Sequence, residues 1–412
     1  MFAYGASLID RQILSLMVDP VRADLNLSDT ELSLLHGLAF ALFYTGFGLP
    51  LGWVADHWNR RRLIAIGLSV WGASTVMCGF ARSFAGLFGA RMAVGMGEAA
   101  LSPAAYSIIH DYFGPSSRGR AMSVYGVGVF LGAGAAYIIG GAAVEFGAAG
   151  AARLADLGLT LRPWQFVFVL VGSLSLVILP FVLSIGEPPR RAAETDAPSV
   201  ERSNPFSCIG YVWRSGALHG LTILGLSIGA IVFNGLFAWV PSHFIRVFEW
   251  SPGEIGLGFG LVLLIFGTAG MWCGGYWSDR AAARGRRDGP ITVVLLGEAI
   301  GGAAAVVFGF LPGTVGAFAA LSVCVFCFGA AIAMGPVALQ NVTPAKIRSQ
   351  MIALYLFVVN VLGLGLGPSL IAGTSDYILR DDMEIGRAVS LVAAFVMPIA
   401  AFCLHQARKQ YR

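Results

Sequence analysis

Two carboxylates and two guanidiniums stand in stretches that are otherwise apolar. Asp10 and Arg11 lie in GASLIDRQILSLMV, and Arg91 and Glu98 lie in FAGLFGARMAVGMGEAALS. An ionisable side chain at the centre of a membrane span costs about 2.5–3.5 kcal/mol, so by default it faces a cavity and has a task there. Arg91 and Glu98 are seven residues apart, which on a helix places them on one face with about 10 Å of rise between them. Asp10 falls at a depth between the two, so one aspartate from a neighbouring helix could bridge the gap. Such a carboxylate–guanidinium–carboxylate cluster has net charge −1, titrates as a coupled set and can hold one proton. Asp10, Glu98 and Arg91 are therefore the expected proton-coupling residues, with the acids alternately protonated and Arg91 changing partner. The same three could instead form a fixed ion cluster that ties two helices together.

Arg11 sits 100° round the helix from Asp10 and points elsewhere, either neutralising Asp10 locally or meeting an anionic headgroup. His36 could join a proton path or hydrogen-bond within the bundle. Glu298 is expected to snorkel or to pack between helices. The second half of the chain offers mainly neutral polar groups in its apolar stretches: Asn234, Gln340, Tyr355 and Asn360. That asymmetry places coupling in the first half. The second half would offer an apolar wall, with Phe233, Phe237, Trp239 and Phe357 as candidates, or those rings could face lipid and bundle. Candidate substrate-binding residues are Arg11, His36, Tyr125, Asn234, Tyr355 and Asn360.

The elements that must position these groups follow from composition. The 412 residues are 57% hydrophobic and 12% charged, with a mean hydropathy of +0.74. A soluble domain carries about 25% charged residues, so this surface cannot stay in water. A cytosolic enzyme, a disordered chain and a nucleic-acid binder are excluded. The apolar stretches are about 18–28 residues long, enough to cross a bilayer as helices, whereas barrel strands would be shorter and alternating. Twelve helices are expected, near residues 1–18, 31–55, 63–81, 84–111, 121–146, 164–185, 217–244, 254–277, 291–311, 314–339, 351–373 and 388–405. The chain opens directly in apolar sequence with no basic signal region, which suggests that the first helix has lost part of its inner end.

Eighteen of the 27 Lys and Arg residues fall in loops on one side, among them Arg60–Arg62, those of residues 190–214 and the tail from Arg408. That side is the cytoplasm, and both termini lie there. Five of the six cysteines fall inside helices, and the Cys324-x-x-Cys327 pair reads as packing rather than metal or redox chemistry. The chain also repeats itself. Ser28-x-x-Glu31 recurs as Ser251-x-x-Glu254, each a capping box, and Gly52-x-x-x-Asp56 recurs as Gly275-x-x-x-Asp279, all at an offset of 223. Arg118…Tyr125 recurs as Arg348…Tyr355. The expected organisation is a six-helix bundle over residues 1–186, a cytoplasmic linker over 187–216 and a second six-helix bundle over 217–412. Parallel repeats of this kind suit alternating access about a midplane site.

The segment GWVADHWNRRR at 52–62 resembles the loop signature of the major facilitator superfamily, with His57 and Asn59 departing from its basic residue and glycine. Arg91-x-x-x-Gly95-x-Gly97 resembles the superfamily's fourth-helix motif. Residues 10–32 and 91–113 are similar to the spinster family. The antiporter signature of the fifth helix is not met, since Gly132-Ala133 stands where Gly-Pro is expected. The resemblance implies an all-α integral membrane protein of the major facilitator fold, with twelve transmembrane helices in two pseudo-symmetric bundles. It also implies a proton-linked role for the matched Asp10, Arg91 and Glu98. A cytoplasmic gate is implied over Gly52, Asp56, Arg60, Arg61, Arg118, Asp279, Arg280 and Arg348. In it Asp56 would accept backbone N–H groups near Ser349, and the arginines would pair with acids across the joint or simply anchor the chain to the membrane face.

Gly126-x-Gly128-x-x-x-Gly132 has the wrong spacing for a dinucleotide loop and reads as small-residue helix packing. No cluster has metal-ligand spacing. The expected protein is not an enzyme and uses no cofactor and no metal, with the proton gradient as its energy source. It is a monomer of a bacterial inner membrane that moves a lysolipid or sphingolipid-like amphiphile. The alternative is a proton symporter of a small organic anion such as a sugar acid.

Overall fold

The structure, a computed structural model, describes residues 2–113, 115–189, 207–214, 217–344 and 347–411. These residues form helices joined by turns and short loops, with no strand among them. Among the described residues, eight helices are long and apolar enough to cross a membrane. In the rest of the first half the Arg60–Cys78 helix is continuous and the other three break partway. The first runs over Phe2–Gln12, tightens into a 3₁₀ turn at Ile13–Leu16 and restarts as Val18–Leu25. Pro20 is tolerated there because it falls in the first turn, where no N–H is needed. The second breaks at Gly37 between Asp29–His36 and Leu38–His57, and the fourth breaks after Glu98 before resuming at Leu101–Tyr112. Continuous helices were expected at all three places. A short helix at Gly147–Asp156, and another at Ser207–Arg214 inside the expected linker, were not anticipated. Residues 190–206, 215 and 216 of that linker lie outside the described residues.

The chain divides into two compact units. The first comprises Met1–Arg191 with Phe237–Leu264, and the second Ala192–Leu236 with Ile265–Arg412. In the first, glycines let helices touch. A Cβ on Gly67 would stand 2.7 Å from the Gly97 carbonyl, and one on Gly97 would stand 2.6 Å from the Trp71 nitrogen. Gly132 would meet Leu8 at 2.5 Å, so at that glycine the long Pro115–Glu145 helix packs closely on the first. Both capping boxes form: Ser28 and Ser251 each accept from the backbone of the glutamate three residues on, which accepts in return. In the second unit, Ile223, Leu226, Val294 and Met351 build an apolar core that also takes Tyr355. Two of its helical stretches are interrupted by wider turns, at Asn360–Leu366 and Thr374–Leu379.

Candidate functional site

Three helix breaks of the first unit, after Gln12, at Gly37 and after Glu98, lie at one buried cluster. Asp10 and Arg91 are fully buried and Glu98 is 1% exposed. Arg91 makes no hydrogen bond or ion pair with either acid side chain among the described residues. Its Nη1 donates to the Asp10 carbonyl (2.9 Å), its Nη2 to the Arg11 carbonyl (3.5 Å) and its Nε to the Leu35 carbonyl (3.4 Å). The physical reason is local. Those carbonyls sit where the Phe2–Gln12 and Asp29–His36 helices end, so they lack the partners a continuing helix would supply. A cation is also favoured at a helix C-terminus. Arg91 thus caps two helices at once.

Arg11 is the guanidinium that meets an acid. Its Nη2 donates to Glu98 Oε2 at 2.6 Å, and Ser7 Oγ donates to the same oxygen at 2.7 Å. Asp10 turns the other way and accepts from Ser175 Oγ at 2.8 Å. Asp10 Oδ1, Glu98 Oε1 and Arg11 Nε find no hydrogen-bond partner among the described residues. Arg11 is also the accessible member, with a side chain 19% exposed against 0% for that of Glu98. Its guanidinium lies over the Phe40 ring at 4.3 Å and the Tyr44 ring at 5.1 Å, a cation–π seat. His36 is buried nearby with its ring 6.5 Å from that of Trp239.

Asn234 spends its amide on the Ala230 carbonyl of its own helix, and Tyr355 packs in the core of the second unit. Asn360 opens a wide helical turn. Trp239 is fully buried, Phe237 packs on Tyr137 and Phe259, Phe233 packs on Phe328, and Phe357 is exposed. Those four rings therefore do not form one wall within either unit. Glu298 does not snorkel: it is 3% exposed and packs against Gly229. The side chains of Asp56, Arg118, Tyr125 and Ser349 lie outside the described residues.

At the arginine-rich end, Arg60 is buried and pairs within its own unit. It meets Asp111, donates Nε to Glu187 (2.8 Å) and donates Nη2 to the Pro188 carbonyl (2.8 Å). Glu187 also accepts the N–H groups of Arg60 (3.3 Å) and Arg61 (2.9 Å) at the start of their helix. A carboxylate is favoured at a helix N-terminus, so this is a cap rather than a loose membrane anchor. Burial alone would push the Glu187 carboxyl up, but the Arg61 N–H and the Arg60 guanidinium hold it below the usual carboxylate range. Asn59, where the signature has glycine, caps the same helix by accepting from Arg62 N. Gly52 faces Pro103 with room for a Cβ, so packing does not require glycine there. Asp279 is exposed, Arg280 donates to Tyr276 Oη, and Arg348 donates to the Thr343 carbonyl. No shared network joins them among the described residues.

One cluster was missed. Arg246 donates to Asp29 at 2.6 and 2.8 Å and to Asp19 at 2.8 Å, with Arg22 3.6 Å from Asp29. Asp29 is fully buried. Its position inside the first turn after the Ser28 cap was the available signal.

A family model described as Major Facilitator Superfamily matches residues 1–368. An MFS-type efflux pump of Mycolicibacterium smegmatis is 27% identical over 98% of this chain and 90% of its own length. A probable L-galactonate transporter of Escherichia coli is 26% identical over 68% of this chain and 60% of its own. Among solved structures, a bacterial homologue of the human lysosomal transporter spinster, inward-facing and unoccupied, superposes with a TM-score of 0.83 at 25% identity. That match covers 100% of this chain and 94% of the other. The all-helical fold with its apolar spans and the family match agree, and this chain is an integral membrane transporter that belongs to the Major Facilitator Superfamily.

Proposed function

We propose that the chain is a proton-coupled secondary transporter of an anionic amphiphile, such as a lysolipid or sphingoid phosphate, working by alternating access. The observation that carries the reading is the Glu98–Arg11 pair, in which a buried acid occupies the one accessible guanidinium of the cluster. A proton on Glu98 removes the charge that holds Arg11. The guanidinium is then available to an anionic head, seated over Phe40 and Tyr44. Proton and anion each strengthen the binding of the other, and linkage makes that coupling reciprocal. Asp10, bonded to Ser175, is the second proton carrier. Arg91 holds the helix ends in place while the pair exchanges.

In this reading twelve helices form two pseudo-symmetric six-helix halves in a bacterial inner membrane, with both termini cytoplasmic and the chain monomeric. Arg246 with Asp19 and Asp29 is the outer latch, and the Arg60 cluster steadies the inner face. The likeness to an L-galactonate transporter supports a second reading, a small organic anion as cargo.

Reconstitution with an imposed pH gradient tests the proposal. Uptake should follow the gradient, and Glu98→Gln should keep exchange of bound substrate while losing all response to the gradient. An undiminished gradient response in Glu98→Gln and in Asp10→Asn would leave the cluster a purely structural role. A panel of lysolipids, sphingoid phosphates and sugar acids decides between the two cargoes.

A further inference from the structure

A cleft in the second unit has no part in the transport reading. It holds about 430 Å³ and is lined by the Thr268–Ala283, Gly289–Phe308 and Thr314–Val342 helices. That volume lies within the roughly 300–1,000 Å³ of small-molecule sites. Its length is apolar, with Val293, Leu296, Ile300 and Phe326 along it. Leu296 and Ile300 are each more than half exposed, so the cleft is open sideways to whatever surrounds the span, which for this chain is hydrocarbon. Its mouth is basic, formed by Arg280, Arg284 and Arg286 beside Trp277.

The charges at this mouth do not cancel. Between residues 279 and 288 four arginines stand against two aspartates. Asp288 is already shared, accepting from Arg286 (3.1 and 3.2 Å) and from Arg408 (3.1 Å). Arg280 donates only to the neutral Tyr276 hydroxyl (3.1 Å), and neither it nor Arg284 has an ion pair among the described residues. Trp277, Arg280, Ala281 and Arg284 fall at helical spacing, so one face of the helix end carries an indole and two unneutralised guanidiniums into the cleft. An apolar trough ending in a tryptophan and paired arginines, on the arginine-rich side of the span, has the polarity profile of a membrane lipid. Guanidiniums bind phosphate by paired hydrogen bonds, and indoles settle at the headgroup level. Basic pockets between spans on that side take anionic headgroups.

We propose that this cleft is a binding site for one anionic diacyl phospholipid of the surrounding bilayer. The phosphate lies at Arg280 and Arg284, the glycerol beside Trp277, and one acyl chain along Leu296, Ile300 and Phe326. The site is separate from the Glu98–Arg11 pair and does not depend on it.

Native mass spectrometry of the purified full chain, offered phosphatidylglycerol or phosphatidylcholine, tests it. Phosphatidylglycerol should be retained roughly thirtyfold more strongly, the worth of two arginines at a surface. The Arg280→Gln/Arg284→Gln variant should erase that preference. Leu296→Trp, which fills the apolar trough and leaves both arginines, should weaken retention of both lipids. Brominated phosphatidylglycerol should quench an emission component that is missing in Trp277→Phe. Equal retention of the two lipids, or a preference that survives Arg280→Gln/Arg284→Gln, overturns the proposal. So does displacement of phosphatidylglycerol by soluble glycerol phosphate at similar concentration, since the apolar trough would then contribute nothing. Transport is not the readout, so failure here leaves the proton-coupled reading standing, and the reverse holds as well.

Discussion

Both units bury acid among apolar residues, and they surround it in opposite ways. In the first, Glu98 meets Arg11 and Ser7, Asp10 meets Ser175, and Arg91 gathers the carbonyls of two interrupted helices. In the second, Glu298 lies inside the uninterrupted Gly289–Phe308 helix, with Oε2 unpartnered among the described residues and its carboxyl filling the space beside Gly229. Burial is therefore not what separates a working charge from a packing one. The first cluster sits at helix ends, where backbone groups need partners and side chains can trade one partner for another. Around Glu298 the helical backbone is already satisfied, and no side chain among the described residues hydrogen-bonds or ion-pairs with its carboxyl.

Breaking the first side of this comparison gives the largest effect. Arg91→Met keeps the length of the side chain but removes every donor to the Asp10, Arg11 and Leu35 carbonyls, in a fully buried place. Removing one member of a buried charged cluster costs about 3–5 kcal/mol. Thermal unfolding in detergent should show that loss at any pH. A cost below about 1 kcal/mol, the scale of a typical single hydrogen bond, would mean that Arg91 does not hold the helix ends.

Much of this arrangement was readable in the chain, and the part that was not has a definite cause. Composition and apolar stretch length point to the spans, and the Ser28 and Ser251 caps form where S-x-x-E predicts them. The divergence of Asp10 from Arg11 also follows from helical angle: one reaches Ser175 and the other Glu98. The pairing itself was hidden because wheel arithmetic assumes a continuous helix. The breaks after Gln12 and at Gly37 expose carbonyls that take the Arg91 donors, which leaves Glu98 to Arg11. Ala99 and Ala100 carry no breaking signal, since alanine favours helix. The break after Glu98 is set by packing in three dimensions, as Gly97 seats against Trp71. The Arg60–Glu187 pair was hidden for another reason: it joins residues 127 apart, and local spacing carries no information about it.

The second side of the comparison can be sharpened by a smaller effect. A Cβ on Gly229 would overlap the Glu298 carboxyl. Gly229→Ala should therefore destabilise by about 1–3 kcal/mol, the cost of overpacking. If Glu298 only fills space, Gly229→Ala/Glu298→Ala should recover most of the loss, a coupling of about 0.5–3 kcal/mol in a double-mutant cycle. Additive losses would mean that the Glu298 carboxyl contributes something beyond volume, and the contrast between the units would weaken.

The smallest effect concerns how each unit secures a helix start at the arginine-rich end, where the two use opposite polarity. In the first, the chain after Ser184 brings an acid, Glu187, to the basic start of the Arg60–Cys78 helix. In the second, the Ile385–Tyr411 helix brings a base, Arg408, to Asp288 before the Gly289–Phe308 helix. Arg286 and Arg408 hold the Asp288 carboxyl well below the usual range, as Arg61 N–H and Arg60 hold that of Glu187. Both folded values are depressed, so the stability they contribute is complete above the unfolded values of about 4 and is lost as pH falls through the lower folded ones. Melting temperature should be flat with respect to these pairs from pH 8 to 5 and should fall below about pH 4. Glu187→Gln should remove part of that acid slope while leaving the neutral plateau within about 1 kcal/mol, because Glu187 is partly exposed and solvent screens it. A slope centred near pH 6 would instead assign the acid sensitivity to histidine and leave both helix-start pairs without a measurable share in it.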